Sequence, residues 1–309
     1  MKKKVLCLLL AVAFAFTAPA TLASAAAAPI GTSGASWELR DGTTLKITGT
    51  GAMPNFNWEN LEARPWHDDS ENITTVEIAA GITHIGNSAF DEMFALETIT
   101  FAGDSRLKTI GEYAFYDASL TSVTIPASVT NIGEGAFQYC RDLETVTFAK
   151  KSQLKTISNW AFNHTALTAV TIPASVTSIG TQAFSNTSLT TVTIPASVTT
   201  IGEGAFGRCN SLITATFFAS TPPAFGIWVF YDTHDDLEIF VPLGAGAAYK
   251  SVENLEVWAN RIVESEFAVP PTGFDDTATS AGIAIVLLVL SAGLWGYIIL
   301  RNNIDKKSV

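Results

Sequence analysis

The stretch Leu120-Thr-Ser-Val-Thr-Ile-Pro-Ala-Ser-Val-Thr-Asn-Ile-Gly-Glu-Gly-Ala-Phe137 decides the fold, because the chain writes it again and again. It returns over Leu167 to Phe184 and over Leu189 to Phe206, and weaker copies begin at Ile73, Leu96, Leu143 and Leu212. The starts are about 23 residues apart, a period that belongs to solenoids. No single copy can bury its own apolar side, so the copies must stack and share one core. The sequence therefore predicts a β-rich repeat solenoid of about seven turns, which favours a contact surface over a catalytic cleft.

Each copy maps onto one turn. Val123-Thr124-Ile125 alternates with period two and is β-branched, so it reads as a strand. Pro126 ends that strand, since proline has no N–H for the ladder. Val129 to Ile132 reads as a second extended piece, Gly133 as a turn at positive φ, and Glu134 to Cys140 as one helical turn that carries Ala136 and Phe137 inward. The pattern predicts that Phe115, Phe137, Phe162, Phe184 and Phe206 queue in one interior file. The copies at Leu96 and Leu143 have a longer loop, and Ser158 replaces the turn glycine in the latter, which predicts an altered corner there.

The ends carry their own signals. Lys2, Lys3 and Lys4, the apolar run Val5 to Phe16 and the small-residue site Ala23-Ser24-Ala25 read as a secretory signal peptide over 1–25. Residues 281–300 contain no charge, long enough for one transmembrane helix. Arg301, Lys306 and Lys307 place the 301–309 tail in the cytoplasm and the repeats outside. Between these lie an N-terminal β-rich cap (26–72), the repeat solenoid (73–236), a C-terminal cap (237–264) and a linker (265–280). The linker spans at most about 50 Å when extended, at roughly 3.3 Å per residue.

Charge and composition narrow the function. Residues 28–280 hold 12 Lys and Arg against 28 Asp and Glu, with no basic patch, which argues against nucleic acid as a partner. Of three cysteines, Cys7 leaves with the signal. Cys140 and Cys209 occupy one row three repeats apart, about 14 Å at the spacing of stacked strands. A disulfide needs less than about 7 Å, so they read as core residues. The four histidines show no zinc spacing. No nucleophile elbow or phosphate loop is present, so neither enzymatic activity nor a cofactor is expected. The acidic loops His67 to Glu71 and Asp232 to Asp236 lack the spacing of a calcium loop and read as solvated charge.

The pattern Leu-x-x-Val-x-Ile-Pro, then Val-x-x-Ile-Gly, then Ala-Phe-x-x-Cys resembles the BspA-like leucine-rich repeat family of bacterial surface proteins. Trp37 to Gly51 with Pro65-Trp66 resembles the β-rich segment that precedes such repeats, and Leu237 to Pro242, Tyr249-Lys250 and Trp258 resemble the segment that closes them. The likeness covers about residues 35 to 263. It implies a right-handed solenoid and, for some members, adhesion to host matrix proteins. Val269-Pro270-Pro271-Thr272-Gly273, followed by the apolar segment and basic tail, resembles a Gram-positive cell-wall sorting signal. That likeness implies a sortase cut between Thr272 and Gly273; the alternative is a Pro-rich linker ahead of a permanent membrane anchor.

Solenoid ends expose core and need caps. Trp37, Phe56, Trp58 and Trp66 are expected to cover one end; Phe225, Trp228, Phe230, Tyr231, Tyr249 and Trp258 are expected to cover the other. Three rows around Ala-Phe vary between copies and are expected to be exposed. In adjacent copies they hold Tyr113, Tyr116, Tyr139, Trp160 and His164, a candidate partner-binding patch for an extracellular protein or matrix ligand. Thr-x-Thr columns on the strands are a rival face, resembling the flat arrays of ice-binding proteins. The reading is adhesion or protein–protein recognition at a bacterial surface. Its alternatives are a structural envelope component, or a carbohydrate-binding module that uses the cap aromatics.

Overall fold

The computed structural model describes residues 28–266. The expected signal peptide over 1–25, most of the expected linker with its Val269–Gly273 motif, the expected 281–300 span and the 301–309 tail lie outside the described residues. Among the described residues no helix is long and apolar enough to cross a membrane.

The repeats wind into a β-solenoid of about eight turns. The sequence predicted about seven. The difference arises because Glu238–Pro242, read as cap, continues the strand column in parallel with Thr214–Phe217. A long sheet of 12 strands lines one side and a short sheet of eight lines another. Register is strict: Val123 pairs with Val146 and Val170 with Val192, so every inward column is apolar. The corner after Pro126 is a turn closed by Val129 N–H on the Pro126 carbonyl at 3.1 Å. The second extended piece is shorter than expected, with ladder pairing only at Asn131–Ile132.

The interior file of phenylalanines is present. Phe90, Phe115, Phe137, Phe162, Phe184, Phe206 and Phe230 stack with centroids 5.1–5.8 Å apart. All are at most 1% exposed. Each buried ring contributes roughly 1.5–3 kcal/mol of transfer free energy, and offset stacking adds about 0.5–1.5 kcal/mol per pair. Cys140 and Cys209 are buried and free, as their spacing required.

Two local expectations are corrected. Gly133 is absent from the positive-φ residues. Its role is close approach: a Cβ there would lie 2.7 Å from Glu112 N and from Gly111 C of the preceding coil. Glu134 to Cys140 is not a helical turn but a run of overlapping turns. Ala136, Gln138 and Cys140 bond back to the carbonyls of Gly133, Gly135 and Phe137 within the coil. The N–H groups of Gly135, Phe137 and Tyr139 instead reach the next coil, at Asn159, Ala161 and Asn163, all at 2.9 Å. The run carries left-handed residues four apart, with φ positive at Gly135 and Tyr139. A helix would have kept those bonds to itself.

The caps also differ in part from expectation. At the N-terminal end the hairpin Ala35–Arg40 and Thr44–Gly49 lays its second strand parallel to Thr75–Ile78. Trp66 is fully buried, stacks on Phe90 at 5.6 Å and donates its indole N–H to the Ala89 carbonyl. Phe56 and Trp37 pack edge-on against it. At the other end Trp258 sits edge-on to Phe230, and buried Tyr249 donates its hydroxyl to the Ala219 carbonyl. Trp58 (66% exposed), Trp228 (63%) and Tyr231 (56%) face solvent and cover nothing. Trp66 with Phe56 and Trp37 already closes one end and Trp258 with Tyr249 the other, which leaves these three outside.

Candidate functional site

The turn ladder fixes the rows around Ala-Phe. Tyr113, Gly135, Trp160, Gln182, Gly204 and Trp228 stand before it, all left-handed. Four residues later come Asp117, Tyr139, His164, Asn186, Arg208 and Asp232, left-handed again. L-residues pay roughly 1–2 kcal/mol for this conformation, which is why Gly135 and Gly204 suit it. Tyr113, Tyr139, Trp160 and His164 hold bulky rings there at φ of 53°, 63°, 54° and 57°.

Four of the five candidate residues form one chain of rings. Tyr113 meets Tyr116 edge-on at 6.0 Å, Tyr116 meets Tyr139 edge-on at 5.4 Å, and Tyr139 stacks on His164 at 4.7 Å. Trp160 makes no ring contact among the described residues and stands apart, in the row of Gly135 and Gln182. Neither the arginine above the ridge nor the carboxylate beneath it was anticipated: Arg141 lies over the Tyr139 ring at 5.3 Å, and Tyr113 donates its hydroxyl to Glu134 Oε1 at 3.0 Å. The sequence signal for Glu134 is that it follows the glycine one coil after Glu112. The Tyr113 ring lies over Gly135, where a Cβ would meet it at 2.5 Å.

The rows are less open than the sequence suggested. All five candidates are half-buried, and Ser88, Asp91, Asn163 and Ser185 are buried. The row after Phe turns toward its neighbours and bonds there. Asn163 donates to the Ser185 carbonyl and accepts from Gln138 Nε2, both at 3.1 Å. The ridge is therefore a rigid, prearranged surface rather than a brush of free side chains.

Its electrostatics follow from this partial burial. Burial, then the bond and charge of Glu134, push the Tyr113 hydroxyl up to about 12. Tyr116 is raised by burial and then by Tyr139. His164 is lowered by burial and then by Arg141 and Arg208, so it is neutral at pH 7. The ridge thus offers neutral rings, phenol hydroxyls, an imidazole and a flanking guanidinium: groups that grip apolar and hydrogen-bonding side chains of a partner.

The Thr columns are in register, with Thr124 beside Thr147 and Thr171 beside Thr193 and Thr216. Thr124, Thr147 and Thr171 are exposed, Thr191 and Thr193 half-buried, and Thr214 and Thr216 buried. Among the described residues no group of three or more His, Cys, Asp or Glu is placed to hold a metal ion.

The model of the BspA-type leucine-rich repeat region matches residues 66–187 and 148–241, in six copies. No curated protein matches the chain. Among solved structures it is similar to the pneumococcal vaccine antigen PcpA, at 16% identity over 68% of this chain and 80% of that one, with a TM-score of 0.38. A leucine-rich repeat protein of T. pallidum is 24% identical over 65% of this chain and 88% of its own, with a TM-score of 0.39. A leucine-rich cell surface protein from Faecalibacterium prausnitzii is 21% identical over 78% of this chain and 95% of its own, with a TM-score of 0.34.

Proposed function

We propose, for a chain that belongs to the BspA-type leucine-rich repeat family, that it recognises an extracellular protein or matrix ligand from the outer face of a bacterial cell. Protein recognition suits that family and this fold. Adhesion is the finer reading, with the Tyr113–Tyr116–Tyr139–His164 ridge and neighbouring Trp160 as its anchors. The observation that carries it is the unbroken run of rings from Tyr113 through Tyr116 and Tyr139 to His164, with Tyr113 and Trp160 held in a left-handed row that glycine fills in sister coils of the same fold. Folding does not require those rings, and strained residues of this kind mark sites of function. Secretion by the 1–25 signal and attachment through the 281–300 span, or by a sortase at Thr272, would hold the ridge outside.

The experiment is binding of the full-length chain to immobilised matrix proteins, compared with Tyr113→Gly and Trp160→Gly variants. Glycine is native to the row of both residues, at Gly135 and Gly204, so the fold is kept. The expected result is a loss of affinity of about tenfold or more, as for removal of an aromatic anchor. Undiminished binding by folded variants rejects the ridge.

A further inference from the structure

A trough of about 470 Å³ runs lengthwise along the short sheet, crossing the coils from His84 to Gly180. The close-packed glycine row is its floor, at Gly111, Gly133 and Gly180. One wall is the outward row of the short strands: Thr109, Asn131, Thr156 and Ser178. The other is the residue after each glycine: Asn87, Glu112, Glu134 and Asn159. Nearly every wall side chain is an amide, a hydroxyl or a carboxylate; the lining aliphatic, Ile110, is fully buried.

The walls are only partly satisfied. His84 closes the N-terminal end, bonded to Thr109 Oγ1 and Asn55 Oδ1. Glu134 accepts from Tyr113, and Asn159 Oδ1 accepts from Thr181 N–H. Among the described residues, Asn131, Thr156 and Ser158 make no side-chain hydrogen bond, and neither does the Asn159 amide nitrogen. These donors and acceptors face one another across a groove with two carboxylates and no lysine or arginine in its lining. That charge excludes a phosphate or uronate polymer.

Spacing decides between the remaining occupants. The wall groups repeat once per coil, about 4.8 Å. An extended peptide presents like-facing side chains about 6.6 Å apart, two residues at roughly 3.3 Å each, and drifts out of register within two coils. Nor can it add as a strand, because the floor N–H groups are already committed: Gly133 bonds Ile110 and Gly180 bonds Ile157 of the coils before. An extended β-1,4-linked sugar polymer advances by close to one coil per sugar, so its like-facing edges recur near every second coil, and it carries paired donor and acceptor hydroxyls along its length. We propose that the trough binds a neutral linear polysaccharide, one sugar per coil, through Asn131, Thr156, Glu112 and Glu134. The site adjoins the aromatic ridge at Glu134, which accepts from Tyr113. Tyr113, the nearest ridge ring, is folded over Gly135, so no stacking platform is present and affinity must grow with chain length.

The test is calorimetric titration of the full-length chain with gluco-, xylo- and manno-oligosaccharides from disaccharide to hexasaccharide, with oligogalacturonate as the anionic comparison. At least one neutral series is expected to bind, with affinity rising to about the pentasaccharide. An Asn131→Ala/Thr156→Val double variant is expected to weaken that binding about tenfold or more, from two lost hydrogen bonds, with an unchanged melting temperature. Thr98→Ala on the long sheet should leave it untouched. Silence from every neutral series, equal affinity for disaccharide and hexasaccharide, stronger binding of oligogalacturonate, or full binding by the folded double variant each overturns the proposal.

Discussion

Ser158 stands where the other coils place Gly86, Gly111, Gly133, Gly180, Gly202 and Gly226. Its N–H reaches the Ile132 carbonyl at 3.4 Å, against 2.8 Å for Gly180 on Ile157 and 2.9 Å for Gly133 on Ile110. The corner has widened to admit one side chain, as the sequence anticipated. Gly180 has no such room, since a Cβ there would lie 2.5 Å from Asn159 N. Gly180→Ala is expected to cost about 1–3 kcal/mol by overpacking, measured by denaturant unfolding. Asp91 gives a pH-dependent prediction. Burial, opposed by the Ser88 bond, pushes its carboxyl from 3.8 up to about 6. The folded chain then holds a proton that the unfolded chain releases, so this stability is complete at low pH and is lost as pH rises from about 4 to 6. Asp91→Asn keeps the group neutral, in a row where Asn163 already sits. It is expected to raise stability at pH 7 by on the order of 2 kcal/mol and to change nothing near pH 4, which melting curves at both pH values would check. The glycine row was legible in the sequence, but its cause was not. A glycine kept for space and one kept for φ look alike in a string of letters. The true left-handed sites were hidden because Tyr, Trp, His, Asp and Arg occupy them.

At the scale of one coil, the Val-Thr-Ile strand, the proline stop and the inward Ala-Phe were all readable. Each rests on local sterics and a period of two. The six-residue corner was misread as helical because it is too short to display a 3.6-residue period. Its real pattern is set by the neighbouring coil, which takes alternate N–H groups. Coils interact only with their neighbours, so damage should be local and then cooperative. Phe162→Ala removes a ring stacked on both sides and is expected to cost about 3–5 kcal/mol. Hydrogen exchange should show protection falling first in the coils that hold Phe137 and Phe184, and later at Trp66. Uniform loss along the chain would contradict nearest-neighbour coupling.

For the whole molecule, the need for caps followed from the repeat, while the eighth turn and the choice of capping rings did not. Trp58, Trp228 and Tyr231 have the composition of cap residues, but the rings packed around Trp66 and Tyr249 already cover the ends. The form of attachment rests on residues 267–309, and mass spectrometry of the mature protein reads it directly. Termination at Thr272 is the expected result for wall linkage, and an intact Val309 excludes it. The final described strand, Ile262–Ser265, is the last rung of the long sheet, parallel to Glu238–Pro242. If the C-terminus is the tether and the ridge the grip, as proposed, tension enters the ladder at that rung. A load hung on the ridge travels through the turns between His164 and Ser265, leaving the N-terminal turns slack. Mechanical failure then proceeds as a peel from the tethered end, one rung after another, and the hairpin at Ala35–Gly49 is the last part to feel the pull.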